Sequence, residues 1–311
     1  MSAAAAHEPP APAQTLCLGE ALVDLVGQPP GRRLTEMEQF SPHFGGVTAN
    51  VAVFAARLGA RVALAGGAGD DVWGRWLLAR LRSERVDVSR FELEAGSETA
   101  LAFVSLDAAG EPSYELRGDP AGTVSRTVGG RIDEAVRGCA ALFISTNTLV
   151  AAEDRAVTMR ARELALELGR PVIFDANLRL HRWSSRTDAR ASANACVRHA
   201  LLVRANLDEA ELMTGERDPE RAATALLKTG ARMVVLTLGA EGAILRGVLR
   251  ATIPAVDRPE VLSTVGAGDA LTGTLLARLA LSGFYPSSVA AALPEAMAAA
   301  AAACGRWGAL D

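Results

Sequence analysis

The stretch Ser263-Thr-Val-Gly-Ala-Gly-Asp-Ala-Leu-Thr-Gly273 brings together residue types that can do chemistry. Gly266, Ala267 and Gly268 are small enough for backbone N–H groups to close around an anion. The apolar run over 270–281 then continues as a helix whose positive N-terminus faces that anion. Asp269 falls in the first turn of this helix. A carboxylate beside a phosphate cradle repels the phosphate unless its task is to take a proton from an attacking hydroxyl, so the pattern points to phosphoryl transfer. Small residues followed by an acid also make an ordinary strand-to-helix turn, with Thr264 or Asp269 as an N-cap. Taken alone, the stretch leaves both readings open.

Such a turn needs a sheet to hold it, and the chain alternates short apolar strands with helical segments. Strands are expected over 142–145, 172–175, 201–205 and 233–238, and helices near 151–168, 189–199 and 219–229. This alternation is that of an α/β protein with a doubly wound, mostly parallel sheet and helices on both faces. Active residues should then lie just after the strand ends.

Toward the N-terminus, an apolar strand over 16–26 carries Glu20 and Asp24, expected near its C-terminal end where ligands sit on parallel sheets. Gly45-Gly46 opens a helix over 47–59 with Asn50 one turn inside it, and a Gly pair there lets a ligand approach the backbone closely. A strand over 61–65 is followed by Gly66-Gly67-Ala68-Gly69-Asp70-Asp71, a turn into a helix over 72–85 that Asp70 or Asp71 can cap. Segments 99–107 and 112–116 flank Ala-Ala-Gly-Glu as a hairpin. With short strands in 27–44, they do not fit the α/β alternation. A small β lid is expected, with strands from about 27–44 and 97–118, on one domain over 15–311.

Three strands end in polar residues. They lead into Asp175-Ala-Asn-Leu-Arg179, into Asn206-Leu-Asp-Glu209, and into Thr237-Leu-Gly239-Ala-Glu-Gly242. Asn206 ahead of Glu209 would serve equally as a helix start. Convergence of all of these with Asp24 and Asp269 on one sheet edge favours a functional cleft.

Composition narrows the class. The 311 residues are 50% apolar and 22% charged, ordinary for a globular protein, and the net charge of −4 offers no basic face for nucleic acid or an anionic membrane. Lys228 is the only lysine, so anion contacts fall to arginine, helix ends or a metal. Cys17, Cys139, Cys196 and Cys304 are widely spaced and read as buried reduced thiols. Segment 1–14 is rich in Ala and Pro and reads as a disordered tail. The alanine-rich run 296–303 is too short to span a bilayer, and a cytoplasmic protein is expected.

In the order of its motifs the chain resembles the ribokinase-like, or PfkB, carbohydrate kinases from about Leu16 onward. One signature is Gly45-Gly46-Val-Thr-Ala-Asn50, followed by Leu58-Gly59-Ala and Gly69-Asp70-Asp71-Val-Trp-Gly74. The other is Thr264-Val-Gly266-Ala-Gly268-Asp269-Ala-Leu-Thr-Gly273, with Asn206-x-x-Glu209 and Thr237-Leu-Gly239-x-x-Gly242 between the two. The resemblance implies an ATP-dependent kinase with Asp269 as general base and Gly266, Ala267 and Gly268 as the anion hole. It implies that Asp24, Gly45, Gly46 and Asn50 hold sugar hydroxyls and that Arg117 and Arg179 face the substrate or its transferred phosphate. It further implies that Asn206 and Glu209 organise Mg²⁺, through water, and the triphosphate. Thr237, Gly239 and Gly242 would lie along the nucleotide, and the β lid would pair two subunits in a homodimer.

The chain departs from the family at Ser263, where K⁺-activated relatives carry an acid, so K⁺ dependence is doubtful. Thr48 stands where Pro is frequent. The Asp175 to Arg179 arrangement, with Trp183 and Arg117, is closer to fructokinases and 2-keto-3-deoxygluconate kinases than to ribokinase, and with only Tyr114 and Tyr285 as tyrosines there is no obvious aromatic clamp for a nucleobase, which disfavours a nucleoside kinase. Fructose is the first expectation and a keto-deoxy sugar acid the second. A non-catalytic binding relative and a dinucleotide oxidoreductase are the competing classes. The latter is disfavoured by the missing Gly-x-Gly-x-x-Gly turn.

Overall fold

The computed structural model describes residues 14–28, 30–31, 33–107, 109–118, 120–256 and 261–310. The expected tail therefore lies outside the described residues apart from Gln14, as does Asp311. The strands, in chain order, are β1 (Thr15–Leu18), β2 (Leu22–Gln28), β3 (Gln39–Gly45), β4 (Val62–Gly69), β5 (Asp87–Glu94), β6 (Leu101–Leu106) and β7 (Pro112–Arg117). They continue as β8 (Ala141–Ser145), β9 (Val172–Asp175), β10 (Leu202–Asn206), β11 (Met233–Thr237), β12 (Ala243–Gly247) and β13 (Ala251–Ile253). Helices α1 (Val47–Arg57), α2 (Val72–Ser83), α3 (Thr123–Val128), α4 (Ile132–Arg137) and α5 (Ala152–Glu167) precede α6 (Arg186–Val197), α7 (Leu207–Thr214), α8 (Pro219–Thr229), α9 (Ala267–Leu281) and α10 (Ser287–Ala303).

Among the described residues the central sheet runs β13-β12-β11-β10-β9-β8-β1-β4-β5. The seven strands from β11 to β5 are parallel, and β12 and β13 add an antiparallel edge. Side chains alternate across it, as the pleat requires. Cys17, Leu64, Phe143 and Ile173 pack into one apolar layer with α1, α2, α9 and α10, whereas Leu16, Leu18, Leu142 and Phe174 pack into the other with α3 to α8. Strands buried on both faces lose the polar alternation of a half-exposed strand, which is why they read as short apolar runs. Doubly wound topology places the C-terminal ends of β8 to β11, and the residues that follow them, along one edge.

A second sheet, ordered β3-β2-β6-β7, lies apart from the first. Its first strand corrects the sequence reading. The run over 16–26 is two strands, broken at Gly19-Glu20-Ala21, and Asp24 sits on the second sheet instead of at the end of a central strand. Up to the break the chain stays beside β4: Gly19 N–H donates to Ala65 O at 3.0 Å, and a Cβ on Gly66 would lie 2.0 Å from Gly19 O. Hydrophobicity could not mark the crossing, since Leu18 and Leu22 are buried in either sheet. The glycine cluster expected as a turn likewise continues β4 through Gly69, and the parallel edge strand β5 was not expected. Among the described residues no helix is long and apolar enough to cross a membrane, and all four cysteines are buried.

Candidate active site

The turn into α9 is built by close packing. Gly266 is the N-cap at φ 78°, a left-handed conformation that glycine adopts without strain, and a Cβ there would lie 2.3 Å from Ala309 Cβ. Ala270 N–H donates to Gly266 O at 2.8 Å as the helical ladder begins, and Ala267 N–H donates to Thr264 O at 3.3 Å. The amides of Gly268 and Asp269 precede the ladder, where a helix N-terminus can receive an anion. Upstream, buried Ser263 turns its hydroxyl onto its own loop, where it accepts from Val265 N–H at 3.1 Å.

Asp269, 6% exposed, is fixed from α1: Asn50 Nδ2 donates to Asp269 Oδ2 at 2.8 Å. Burial pushes the Asp269 carboxyl up to about 6, a rise that the Asn50 bond opposes and the nearby Asp175 carboxylate reinforces, while Arg179 and Arg204 pull it down. Asn50 Oδ1 is buried without a hydrogen-bond donor in the protein. It is an acceptor available to a bound hydroxyl.

The opposite wall comes from the second sheet. Because side chains alternate, Leu22, Asp24, Ala102, Tyr114 and Leu116 face a cavity of about 640 Å³ that Asn50, Arg179 and 266–269 also line. Burial, joined by the charge of Asp269 and opposed by Arg179, pushes Asp24 up to about 8. Gly45 makes room for this carboxyl, since a Cβ there would lie 2.6 Å from Asp24 Oδ2, and Gly46 lines the cavity. The Arg179 guanidinium lies 5.7 Å from the Tyr114 ring centroid. Arg117 is not brought in. One residue beyond Leu116, it points out of the opposite face, exposed and paired with Glu115.

On the third side, Asn206 and Glu209 line the cavity and form the capping box that a purely structural reading expects. Asn206 Oδ1 accepts from Glu209 N–H and Glu209 Oε2 from Asn206 N–H, each at 2.8 Å, while Glu209 Oε1 accepts from Leu178 N–H at 3.0 Å. Both Glu209 oxygens are thus engaged by amides. That suits holding a hydrated Mg²⁺ through water, since Mg²⁺ keeps several waters and takes its direct ligands from few carboxylates and from phosphates. Among the described residues no group of three or more His, Cys, Asp or Glu could hold a metal by itself. Thr237 lies at the end of β11 and accepts from Arg204 Nη2 at 3.1 Å. Gly239 and Gly242 form the turn after it, outside the cavity lining, and a Cβ on Gly242 would lie 2.1 Å from Ile253 O.

Sequence reasoning missed Arg204, Asn147, His181 and Arg182, all of which line the cavity. For Arg204 a signal existed: an arginine flanked by the apolar residues Leu202, Val203 and Ala205 within a strand. The Gly69-Asp70-Asp71 signature proves structural. Asp71 caps α2 through Gly74 N–H at 2.8 Å and accepts from Thr99 N–H at 2.8 Å and its hydroxyl at 2.7 Å, tying α2 to the approach to β6.

The profile described as pfkB family carbohydrate kinase matches residues 13–311. The chain belongs to the pfkB family of carbohydrate kinases. It is 34% identical to Fructokinase-1 of Oryza sativa subsp. japonica over 263 residues, 84% of this chain and 81% of the relative. It superposes on a PfkB protein from Polaromonas sp. JS666 with a TM-score of 0.82 and 27% identity, covering 96% of this chain and 97% of that one. Fructokinase from Vibrio cholerae O395, solved with fructose, ADP and calcium ion, gives a TM-score of 0.81 at 27% identity, covering 96% and 95%. The fold is thus that of a ribokinase-like PfkB kinase, and the protein is an ATP-dependent sugar kinase.

In this kinase the second sheet reaches the loop ahead of Gly266. Thr264 N–H donates to Gly110 O at 2.9 Å and its hydroxyl to Glu111 Oε2 at 3.0 Å, so the β6–β7 hairpin tip is fastened two residues before Gly266. The Asn50 bond stabilises ionised Asp269, so its loss should raise the Asp269 pKa. For a base that works ionised, kcat/KM should fall as pH drops through about 6 in the wild type. In Asn50→Ala this acidic limb should move to higher pH, and a limb that stays in place would detach Asp269 from it.

Proposed function

We propose that this kinase transfers the γ-phosphoryl group of ATP to a hydroxyl of fructose, with Asp269 as general base and the 266–268 turn as the anion hole. The observation that carries this reading is the Asn50–Asp269 pair, buried where the free amides of α9 meet the cavity. The sugar hydroxyl gives its proton to Asp269 as its oxygen bonds to the γ-phosphorus. The bond from that phosphorus to the β–γ bridging oxygen breaks, and ADP leaves. A loose transition state of this kind needs in-line positioning and charge neutralisation more than covalent help. Amides of Gly268 and Asp269 and the α9 dipole face the transferred group. Asn206 and Glu209 are the residues that would hold Mg²⁺ through water, and Mg²⁺ would supply positive charge beside the phosphates. Gly45 and Gly46 let the acceptor approach, Asp24 and Asn50 hold its hydroxyls, and Thr237, Gly239 and Gly242 border the nucleotide.

The second sheet acts as a lid that keeps water from the γ-phosphoryl group, and its tie to Thr264 couples closure to the anion turn. Its outer face carries half-buried Phe40 and Phe103 in edge-to-face contact, centroids 5.3 Å apart, and we take this face as the contact with a second copy. The fructose assignment is supported by the similarity to plant fructokinases. A sugar acid such as 2-keto-3-deoxygluconate is the second reading, favoured by Arg179 and Arg182 in the cavity lining, where a carboxylate could pair with a guanidinium.

Four measurements test these points. Asp269→Asn should lose roughly 10²-fold or more in kcat with an unchanged thermal melt, and near-normal turnover would remove the base. In a panel of ketoses, pentoses and keto-sugar acids, fructose should give the highest kcat/KM; a keto-deoxy acid in first place would transfer the assignment to the arginines. Replacing Na⁺ by K⁺ should change kcat less than about twofold, because Ser263 brings no carboxylate to a monovalent-cation site. Sedimentation at micromolar protein should give twice the 32.4 kDa chain mass, and Phe103→Glu should give the monomer.

A further inference from the structure

Arg204 is a cation where the strand pattern calls for an apolar residue. Leu202, Val203 and Ala205 around it on β10 are fully buried, and Arg204 itself is 7% exposed. Its Nη1 donates to Asp175 Oδ1 at 3.3 Å and its Nη2 to Thr237 Oγ1 at 3.1 Å, while Thr272 Oγ1 holds the other Asp175 oxygen at 2.6 Å. These bonds leave further donors of the planar fork unspent, and Nε is buried with no hydrogen-bond partner. On its other side the guanidinium packs against the anion turn: a Cβ on Gly268 would lie 2.8 Å from Nη1 and 2.9 Å from Nη2. The group lines the same cavity as Asn206, Glu209 and Asp269.

We propose that Arg204 is a catalytic residue of the phosphoryl transfer, its guanidinium contacting the equatorial oxygens of the γ-phosphoryl group as that group passes from ATP to the acceptor hydroxyl. The proposal rests on the reading of Asp269 and the 266–268 turn given above. Arg204 neither gives nor takes a proton. The hydroxyl proton goes to Asp269, and the electron pair of the broken bond leaves with ADP. Charge on the equatorial oxygens is what a fixed guanidinium is suited to stabilise, because it is always charged and its fork matches paired oxygens. A simpler role is charge balance, since Asp175, Glu209 and Asp269 surround it. A residue needed only for balance has no need of an open side. Here the side chain missing at Gly268 exposes the fork to the turn where the anion is received.

The two roles separate in the kinetics of Arg204→Gln and Arg204→Lys, measured in the full chain on whichever sugar the wild type turns over fastest, across pH 6 to 9, with thermal melts as the folding control. Direct contact predicts that Arg204→Gln loses about 10²- to 10³-fold in kcat at every pH while the sugar KM stays within about threefold. Arg204→Lys, which keeps the charge but not the fork, should lose about tenfold. If Arg204 acted only through Asp269, the variants would regain wild-type kcat at high pH, because their loss would be a raised Asp269 pKa. That recovery, or a folded variant within about threefold of wild type throughout, overturns the proposal. If Arg204→Gln does not fold, Arg204→Lys decides by the same criterion. Failure of the underlying reading is separate: it would appear as near-normal turnover in Asp269→Asn, whatever the Arg204 variants do.

Discussion

Taking carboxyl groups out of water is the constraint around which this cleft is arranged. Asp24, Asp175, Glu209 and Asp269 are all nearly or fully buried, and each is answered differently. Asp175 has Arg204 and Thr272. Glu209 has two backbone amides. Asp269 has the Asn50 amide and, more remotely, Arg179 and Arg204, and its pKa rises only to about 6. Asp24, with the like charge of Asp269 nearby, rises to about 8. Asp269 is therefore the more acidic of the two and Asp24 the more readily protonated. One acid inclined to give up its proton beside one inclined to keep it is a division that environment alone produces.

Topology makes this arrangement possible. Asn50 and Asp269 are 219 residues apart in sequence, yet α1 and α9 pack on the same face of the central sheet and meet at their N-terminal turns. β9, β10 and β11 deliver Asp175, Arg204 with Asn206, and Thr237 side by side, because the strands are parallel and adjacent. The one wall that the central sheet does not supply comes from β2, β6 and β7. The chain crosses to that second sheet at Gly19, only a few residues before Asp24, and the hairpin tip closes the circuit at Thr264.

Much of this was legible in the sequence because it rests on local rules. The central strands read as apolar runs, α8 matched its expected bounds, and Gly266 to Asp269 carried its own logic of small residues, helix start and acid. What was not legible depends on tertiary packing. Leu16 to Val26 is apolar apart from Gly19, Glu20 and Asp24, and acids of that kind fit one strand carrying ligand-facing acids as well as two strands with a break, so the crossing at Gly19 was not marked. Arg117 and Tyr114 differ only in the parity of their positions, and parity becomes informative once the register against β6 is known. Asn206 and Glu209 show that a capping box and a ligand-facing pair are not exclusive, because a helix N-terminus at a strand end serves both.

The central claim is that Asp269 lies between the acceptor hydroxyl and the anion turn. The most direct measurement is a crystal structure of the kinase with ADP, fructose and a metal fluoride standing in for the transferring phosphoryl group. The account predicts one fructose hydroxyl oxygen within about 2.6 to 3.2 Å of an Asp269 carboxylate oxygen and in line with the metal fluoride, itself seated on the Gly268 and Asp269 amides. A hydroxyl directed at any other base, or a fluoride seated away from those amides, would contradict it.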